Sequence, residues 1–320
     1  MELYLDTKSL GVEPDAIGSE VGTLGVPECG TRFVRQMIAD VKPKNFSDLL
    51  RISGYSHGTG VWLDNAQELI KEGHPTDETI STRDDIMTYL INHNVEPSMA
   101  FKIMEHCRKG RTHKQGFKPE MAEALEKAHI PDFYIHSCKT VEYLFPKAHA
   151  VAYVLSAYRI AYCKVHHPKE FYAAYFSIRA PQFNYIEVHK GEDYMKRYIK
   201  NVYAQGNQAK VNDKDAATYM EMCVEMIERG YTFEDVDLYK SDATKFIVTD
   251  KGLLPPFGSI AGIGEAAAKS IVEARKKGPF ISQEDLRNRA KISLSNVQLL
   301  AELGILKDLP EENQMSLDFG

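Results

Sequence analysis

The stretch "SIAGIGEAAAKSIVEARKKGPF", Ser259–Phe280, sets two glycines one residue apart, ahead of a helix-forming run. Two physical readings fit it, and both place an anion on the backbone N–H groups of a helix N-terminus. The first is a dinucleotide fingerprint, Gly262-x-Gly264 followed by Ala267. That reading needs a buried strand before the glycines, a βαβ unit after them and an acid about twenty residues on. Glu284 and Asp285 fall near that distance, but Pro255-Pro256-Phe257-Gly258 breaks a strand and only fifty-six residues follow Gly264. A nucleotide fold has no room here.

The second reading is a helix-hairpin-helix, with Ile260, Ile263, Ile271 and Val272 clamping two helices around the Gly262-Ile263-Gly264 turn. Such a turn lets the backbone approach a DNA phosphate without reading a base. Lys269 and the basic end Arg275-Lys276-Lys277 favour a phosphate partner. A plain αα-hairpin whose glycines only make the turn is the competing structural reading.

Working outward, 320 residues suffice for about two domains with cores of their own. No apolar run reaches about eighteen residues, and Met1-Glu2-Leu3-Tyr4 lacks the pattern of a signal peptide, so a cytoplasmic protein is expected. The cysteines Cys29, Cys107, Cys138, Cys163 and Cys223 are far apart, which suits buried or idle thiols rather than a disulfide frame or zinc site.

The net charge of −6 argues mildly against a nucleic-acid partner, but its distribution matters more. Lys251–Leu300 holds eight Lys or Arg against four Asp or Glu, and Phe101–Glu120 holds six against two, with His106 and His113 added. The last twenty residues reverse the sign, with five acids and one base. Basic patches on an acidic background suit local phosphate contact, although such runs are also ordinary solvated faces.

The pattern is helical for most of the length. The first forty-five residues are loop-rich and lead to a short helix at about Thr31 to Asp40. Then "NFSDLLRISGYSHGTGVWLDNAQELI" reads as a helix capped by Ser47, a break at Gly54, Gly58 and Gly60, and a helix from Trp62 to Ile70. Further helices are expected at about Thr82 to His93, Glu96 to Lys109, Pro119 to Ala128 and Thr140 to Tyr143. A long one follows from Ala148 to Val165. Asp132 to Tyr134 and Pro168 to Phe176 continue the pattern. The long helix is apolar nearly all round, which predicts burial.

The stretch from Gln182 to Tyr203 is polar and tyrosine-rich, and a helix is expected from about Asp213 to Arg229. At Gly230 the texture changes. Phe246-Ile247-Val248 alternates between turn residues, as in a short hairpin, and "SLSNVQLLAELGIL" reads as a second, degenerate helical pair. The end is acidic yet carries Gln314, Met315, Leu317 and Phe319, apolar side chains spaced for insertion into a partner's groove.

Catalytic chemistry is sparse. Ser56-His57-Gly58-Thr59 is the densest polar cluster, but adjacent Ser and His seldom align for proton transfer and no nucleophile elbow surrounds them. A loop touching a ligand's phosphate or sugar, or a simple capping loop, fits better. Lys147 and His149 open the long helix and Tyr153 follows one turn on, so His149 and Tyr153 share a face and Lys147 adds a cation to the helix start. An anion such as a triphosphate would suit that arrangement. His166-His167-Pro168 lacks a third metal ligand, while Asp84-Asp85 and Glu311-Glu312 read as surface acids. No strand carries the paired aspartates of a two-metal phosphoryl transferase, so no catalytic residue, metal or cofactor is expected in this chain.

Four stretches carry a resemblance: "GTLGVPECGTRFVRQMI", "RISGYSHGTGVWLDNAQELI", "FPKAHAVAYVLSAYRIAYCKVHHP" and "LLPPFGSIAGIGEAAAKSIVEAR". Through them nearly the whole chain resembles the C-terminal part of the PolC-type bacterial DNA polymerase III alpha subunit. The resemblance implies a mainly α fold: multi-helical polymerase fingers over 1–230, then a small α+β duplex-binding region with a helix-hairpin-helix over 231–310. A tail follows over 311–320. It also implies that the fingers cover the incoming dNTP, with Ser56, His57, Lys147, His149 and Tyr153 as the candidates for nucleotide contact. Duplex contact would fall to Gly262, Ile263, Gly264, Lys269, Arg275, Lys276 and Lys277. The catalytic aspartates and their Mg2+ would sit in a palm outside this chain, so Met1 would begin a fragment or a split gene product.

Gln314, Met315, Leu317 and Phe319 are similar to the longer form of the family's sliding-clamp motif, with Asp318 between Leu317 and Phe319. The partners implied are primer-template DNA, dNTP, the sliding clamp, and the palm and remaining domains. The competing functional class is a stand-alone, non-catalytic DNA-binding or clamp-interacting adaptor.

Overall fold

The computed structural model describes residues 1–312, so Gln314, Met315, Leu317 and Phe319 lie outside the described residues. The chain divides into two compact units, Met1–Val165 and a second beginning at His166. The fold is mainly α, with one small sheet.

In the first unit, α1 (Pro14–Ile17), α2 (Arg32–Val41), α3 (Phe46–His57) and α4 (Gln67–Lys71) lead to α5 (Arg83–Asn92), α6 (Pro97–Cys107) and α7 (Arg111–Gln115). Then come α8 (Pro119–Lys127), α9 (Asp132–Thr140) and α10 (Lys147–His166). Local chemistry starts these helices. Thr31 caps α2 by accepting from Val34 N, and Glu96 caps α6 by accepting from Met99 N with Pro97 in the first turn. Asp85 holds the start of α5 by accepting from the Thr82 backbone N–H at 2.8 Å. The core runs from Leu3 through Met37, Ile52 and Trp62 to Ile103 and Val154.

Several local expectations are corrected. The cap of α3 is Asn45, which accepts from Asp48 N, and Ser47 lies inside the helix. Gly54 does not break α3: a Cβ there would lie 2.4 Å from the Ser81 carbonyl oxygen, so glycine permits a close helix-to-chain approach. Trp62 to Ile70 is not one helix. Leu63, Asp64 and Asn65 leave helical geometry, and the turn is held by Ser137 Oγ donating to Asn65 Oδ1 at 2.6 Å and by Asn65 Nδ2 donating to Gly60 O at 2.8 Å.

No helix spans Thr140 to Tyr143. The helix is α9, which ends at Thr140, after which the backbone extends and Thr59 pairs with Tyr143 and Thr82 with Phe145. The long helix α10 is also less buried than its composition predicts. Ala150, Val154, Ala157, Ala161 and Lys164 face the core, whereas Val151, Tyr153, Leu155 and Tyr162 are exposed. Fully buried Lys164 donates from Nζ to the carbonyls of Gly22 at 2.7 Å and Leu24 at 2.6 Å.

The second unit holds α11 (Pro168–Ile178), α12 (Tyr185–Val188), α13 (Glu192–Ala204) and α14 (Val211–Glu228). The polar, tyrosine-rich stretch therefore folds as two helices, with Met195 and Val202 of α13 buried. The change of texture at Gly230 is the end of α14 and lies inside this unit. Beyond it, β1 (Thr232–Phe233), β2 (Ile247–Val248) and β3 (Gly252–Leu254) form a sheet in the order β1-β3-β2, parallel between β1 and β3 and antiparallel between β2 and β3. The expected hairpin is present and gains a third strand. Then come α15 (Glu265–Arg275), α16 (Gln283–Ala290) and α17 (Leu294–Glu302).

Candidate nucleotide and nucleic-acid interfaces

In the first unit the structure gathers Ser56, His57, Lys147, His149 and Tyr153 around the extended segment before α10. Phe145, in that segment, places its ring centroid 4.8 Å from His57 and 5.5 Å from His149. His149 and Tyr153, one turn apart on α10, are edge to face at 4.9 Å. The four rings form a continuous ledge whose outer end, Tyr153, is exposed. Such a ledge offers faces and edges for stacking a base or sugar.

The polar atoms of this site are already engaged. Ser56 Oγ lies 3.0 Å from His57 Nδ1, but both also engage the Ser53 carbonyl oxygen, Ser56 Oγ at 3.1 Å and His57 Nδ1 at 2.9 Å, so the pair is turned onto the backbone of α3. His57 Nε2 stands 3.0 Å from Glu28 Oε2. Glu28 holds a positive φ of 65°, a conformation that non-glycine residues seldom adopt.

Lys147 donates from its backbone N to Asp84 Oδ2 at 2.9 Å and from Nζ to Asp85 Oδ1 at 3.2 Å. The helix start expected to be open for an anion is thus partly closed by carboxylates. Nor is Asp85 a surface acid. It is buried, 3.7 Å from Arg51 Nη1, and accepts from the Ser81 hydroxyl and the Thr82 backbone N–H. Burial works to raise its pKa, but Arg51, the Ser81 hydroxyl and Lys147 together hold the carboxyl below its ordinary range.

In the second unit, Gly262 has φ +103° and its carbonyl accepts from Asn296 Nδ2 at 3.0 Å. Gly264 is the N-cap of α15, with no side-chain cap and open space where a Cβ would sit. The first intrahelical bond is Ala268 N to Gly264 O, so the N–H groups of Glu265, Ala266 and Ala267 form the helix's exposed donor end. Ile260, Ile263 and Ile271 are buried behind the turn and Val272 is partly buried. The element before the turn is a single 3-10 turn, Phe257–Ser259, rather than a full helix.

The cations of this region differ in their freedom. Lys269 pairs with Glu265 at 2.6 Å and Lys276 with Glu273 at 2.5 Å, both pairs exposed. Arg275 donates to Leu238 O at 3.0 Å, and burial pulls its pKa below the ordinary value. Lys277 is exposed and has no salt bridge among the described residues. Arg275 to Lys277 lie at the far end of α15 from the turn, roughly 16 Å along an eleven-residue helix. A phosphate held at the turn is out of their reach. No group of three His, Cys, Asp or Glu side chains is placed to hold a metal ion among the described residues. No helix among them is long and apolar enough to cross a membrane. Sequence reasoning missed Phe145 and Glu28 in the first unit and Asn296 in the second.

Two family models match. Residues 16–129 match the bacterial DNA polymerase III alpha subunit finger domain, a span that includes Glu28, Ser56 and His57 but not α10. Residues 230–316 match the helix-hairpin-helix motif. Curated relatives extend the likeness to nearly the whole chain. A DNA polymerase III PolC-type of Bacillus subtilis is 51% identical over 318 residues, 99% of this chain. Proteins of the same description from Caldanaerobacter subterraneus and Oceanobacillus iheyensis are 50% and 51% identical over the same length. This chain spans 22% of the length of each of them.

Proposed function

We propose that this chain is the C-terminal segment of a replicative DNA polymerase of the PolC type, and that it serves the polymerase without carrying the catalytic aspartates. The observation that carries the reading is identity of about half the residues over 318 positions, with a finger-domain match and a helix-hairpin-helix match in one chain. Residues 1–230 supply the fingers. There the ledge of His57, Phe145, His149 and Tyr153 borders the incoming dNTP, and Lys147 is the cation nearest to it in sequence. Stacking positions a nucleotide without performing chemistry on it. Nucleotidyl transfer, with its Mg2+, belongs to a palm in another segment.

Residues 231–310 grip the product duplex. The N–H groups at the start of α15 meet a phosphate, and Gly264 leaves the backbone accessible to it. Lys269 and Arg275 to Lys277 set the electrostatic background. Gln314, Met315, Leu317 and Phe319 attach the sliding clamp. The assembly works on primer-template DNA in the cytoplasm, at the nucleoid.

The test is an anisotropy titration of the 320-residue chain with a blunt hairpin duplex, alongside primer extension. Duplex binding is expected to be indifferent to sequence and to weaken steeply with salt. Absence of binding at low salt would remove the duplex grip from this chain. Primer extension by the chain alone would overturn the assignment of the catalytic aspartates to another segment.

A further inference from the structure

The basic stretch Phe101–Glu120 has no part in either site above. From Arg108 to Lys118 the sequence carries five Lys or Arg and no acid, in a chain of net charge −6. The structure builds this stretch into a rigid corner. Cys107 Sγ meets Thr112 Oγ1 at 3.2 Å and His106 Nε2 meets Gly116 O at 3.1 Å, fastening α6 to α7. Gly110 turns the corner at φ +65°, so close to the following segment that a Cβ would stand 2.5 Å from the Glu142 carbonyl oxygen. His113 Nδ1 lies 3.0 Å from the Lys139 carbonyl oxygen, which brings the end of α9 alongside α7.

Three cations result on this corner: Arg111 and Lys114, one turn apart on α7, and Lys139 on α9. All three are exposed, and none has a salt bridge among the described residues. The backbone of Glu142 passes beside Gly110, just before Arg111. By contrast, Arg108 is held bidentately by Glu105, and Lys109 lies at 4.0 Å from the same carboxylate. Next to this corner is an exposed aromatic ring, Tyr143, on backbone fixed by Thr59 N donating to Tyr143 O at 3.0 Å and by Leu144 N donating to Arg108 O at 3.3 Å.

Free cations beside an exposed ring on rigid backbone suit unpaired nucleic acid, which offers phosphates and a base face together. A duplex keeps its base faces stacked, and an acidic peptide carries its charges on aliphatic stems, whereas each nucleotide of a single strand pairs a phosphate with a free base face. We infer that the corner formed by Arg111, Lys114, Lys139 and Tyr143 binds single-stranded nucleic acid, with the cations on the phosphates and the tyrosine under a base. The inference stands apart from the polymerase reading, because it rests on this surface alone.

The test uses the whole chain, labelled oligothymidine and a blunt hairpin duplex, titrated at several salt concentrations. The triple variant Arg111→Ala, Lys114→Ala, Lys139→Ala should bind oligothymidine at least about tenfold more weakly. Its plot of log affinity against log salt should flatten by about 2, from roughly 0.7 per phosphate contact. Its duplex affinity should be unchanged. Tyr143→Ala should lose roughly five- to hundredfold in oligothymidine affinity with the salt slope retained. Both variants change exposed side chains, and far-UV circular dichroism and melting temperature check that they fold. A control, Lys71→Ala, Lys200→Ala, Lys210→Ala, removes as many exposed charges elsewhere and should bind as the unaltered chain does. The inference is overturned if the unaltered chain ignores oligothymidine or the triple variant binds it normally. It is likewise overturned if the control loses as much, or if duplex affinity falls in step.

Discussion

The side-chain amide of Asn296 donates to the carbonyl oxygen of Gly262 at 3.0 Å, so the start of α17 fixes the turn that opens α15. Asn296 also closes the capping box with Ser293. Asn296→Ala removes the bond and its own half of the box, at about 1 kcal/mol for the bond and about 0.5 kcal/mol for the half-box, since Ser293 Oγ still accepts from the backbone N–H of position 296. Chemical denaturation should report a loss near that sum, and hydrogen exchange should quicken at Gly264 to Ala267.

Gly262 and Gly264 separate folding from binding. Gly262→Ala places a Cβ at φ +103°, 3.0 Å from Leu299 Cδ2, and should destabilise the chain by about 1–3 kcal/mol. Gly264→Ala meets open space at an ordinary φ, so the melting temperature should move little. The added methyl should nonetheless weaken duplex binding, measured by anisotropy, because it stands beside the donor end of α15. Equal duplex affinity in Gly264→Ala and the unaltered chain would dissociate this turn from DNA.

Gly54→Ala tests close approach against helix propensity. Alanine is the better helix former by about 1 kcal/mol. Here its Cβ would meet Ser81 O at 2.4 Å and Ser81 C at 2.7 Å, both backbone atoms with little freedom to move. A net loss of about 1–3 kcal/mol is expected in thermal unfolding, of the size found for overpacked interiors.

Asp85 gives the first unit an acid limit. Its carboxyl titrates lower in the folded chain than in the unfolded one, against the opposing effect of burial, because Arg51, Ser81 and Lys147 favour the carboxylate. The stability it contributes is therefore present above about pH 4, the unfolded value, and disappears as pH falls through the lower folded value. Asp85→Asn should cost about 3 kcal/mol at neutral pH, since it leaves Arg51 and Lys147 without their buried counter-charge. The difference between the two proteins should shrink in denaturation curves recorded at progressively lower pH.

The helices were legible where caps and periodicity coincide, as at Thr31, Thr82 and Pro119, and the mainly α architecture follows from them. The glycine turn was legible because Pro255 and Pro256 end β3 at Leu254, so the strand does not run on into Gly262. Illegible were features set by distant contacts: Gly54 as a close approach, the kink at Leu63 to Asn65 held by Ser137, and the burial of Asp85 by Arg51. In the first site, Phe145 shares the four-residue spacing of His149 and Tyr153, so that spacing was the available signal for it. Glu28 had none, because its meeting with His57 depends on a loop conformation that sequence patterns do not encode. The all-round apolar character of α10 was misleading, since four of its large side chains face outward.

Lys164 changes how the loop-rich opening of the chain is to be understood. Its ammonium is wholly buried and two of its hydrogen bonds end on the carbonyls of Gly22 and Leu24. Those carbonyls bond a charge that burial would otherwise penalise heavily. Trimming the chain to begin after Leu24 would withdraw both acceptors from the interior, so a shortened version meant to isolate the helices would damage their core from a distance of some 140 positions. The opening loops and α10 share one core, in which Tyr4 stacks on Tyr158 and Lys164 adds the polar tie between the two ends.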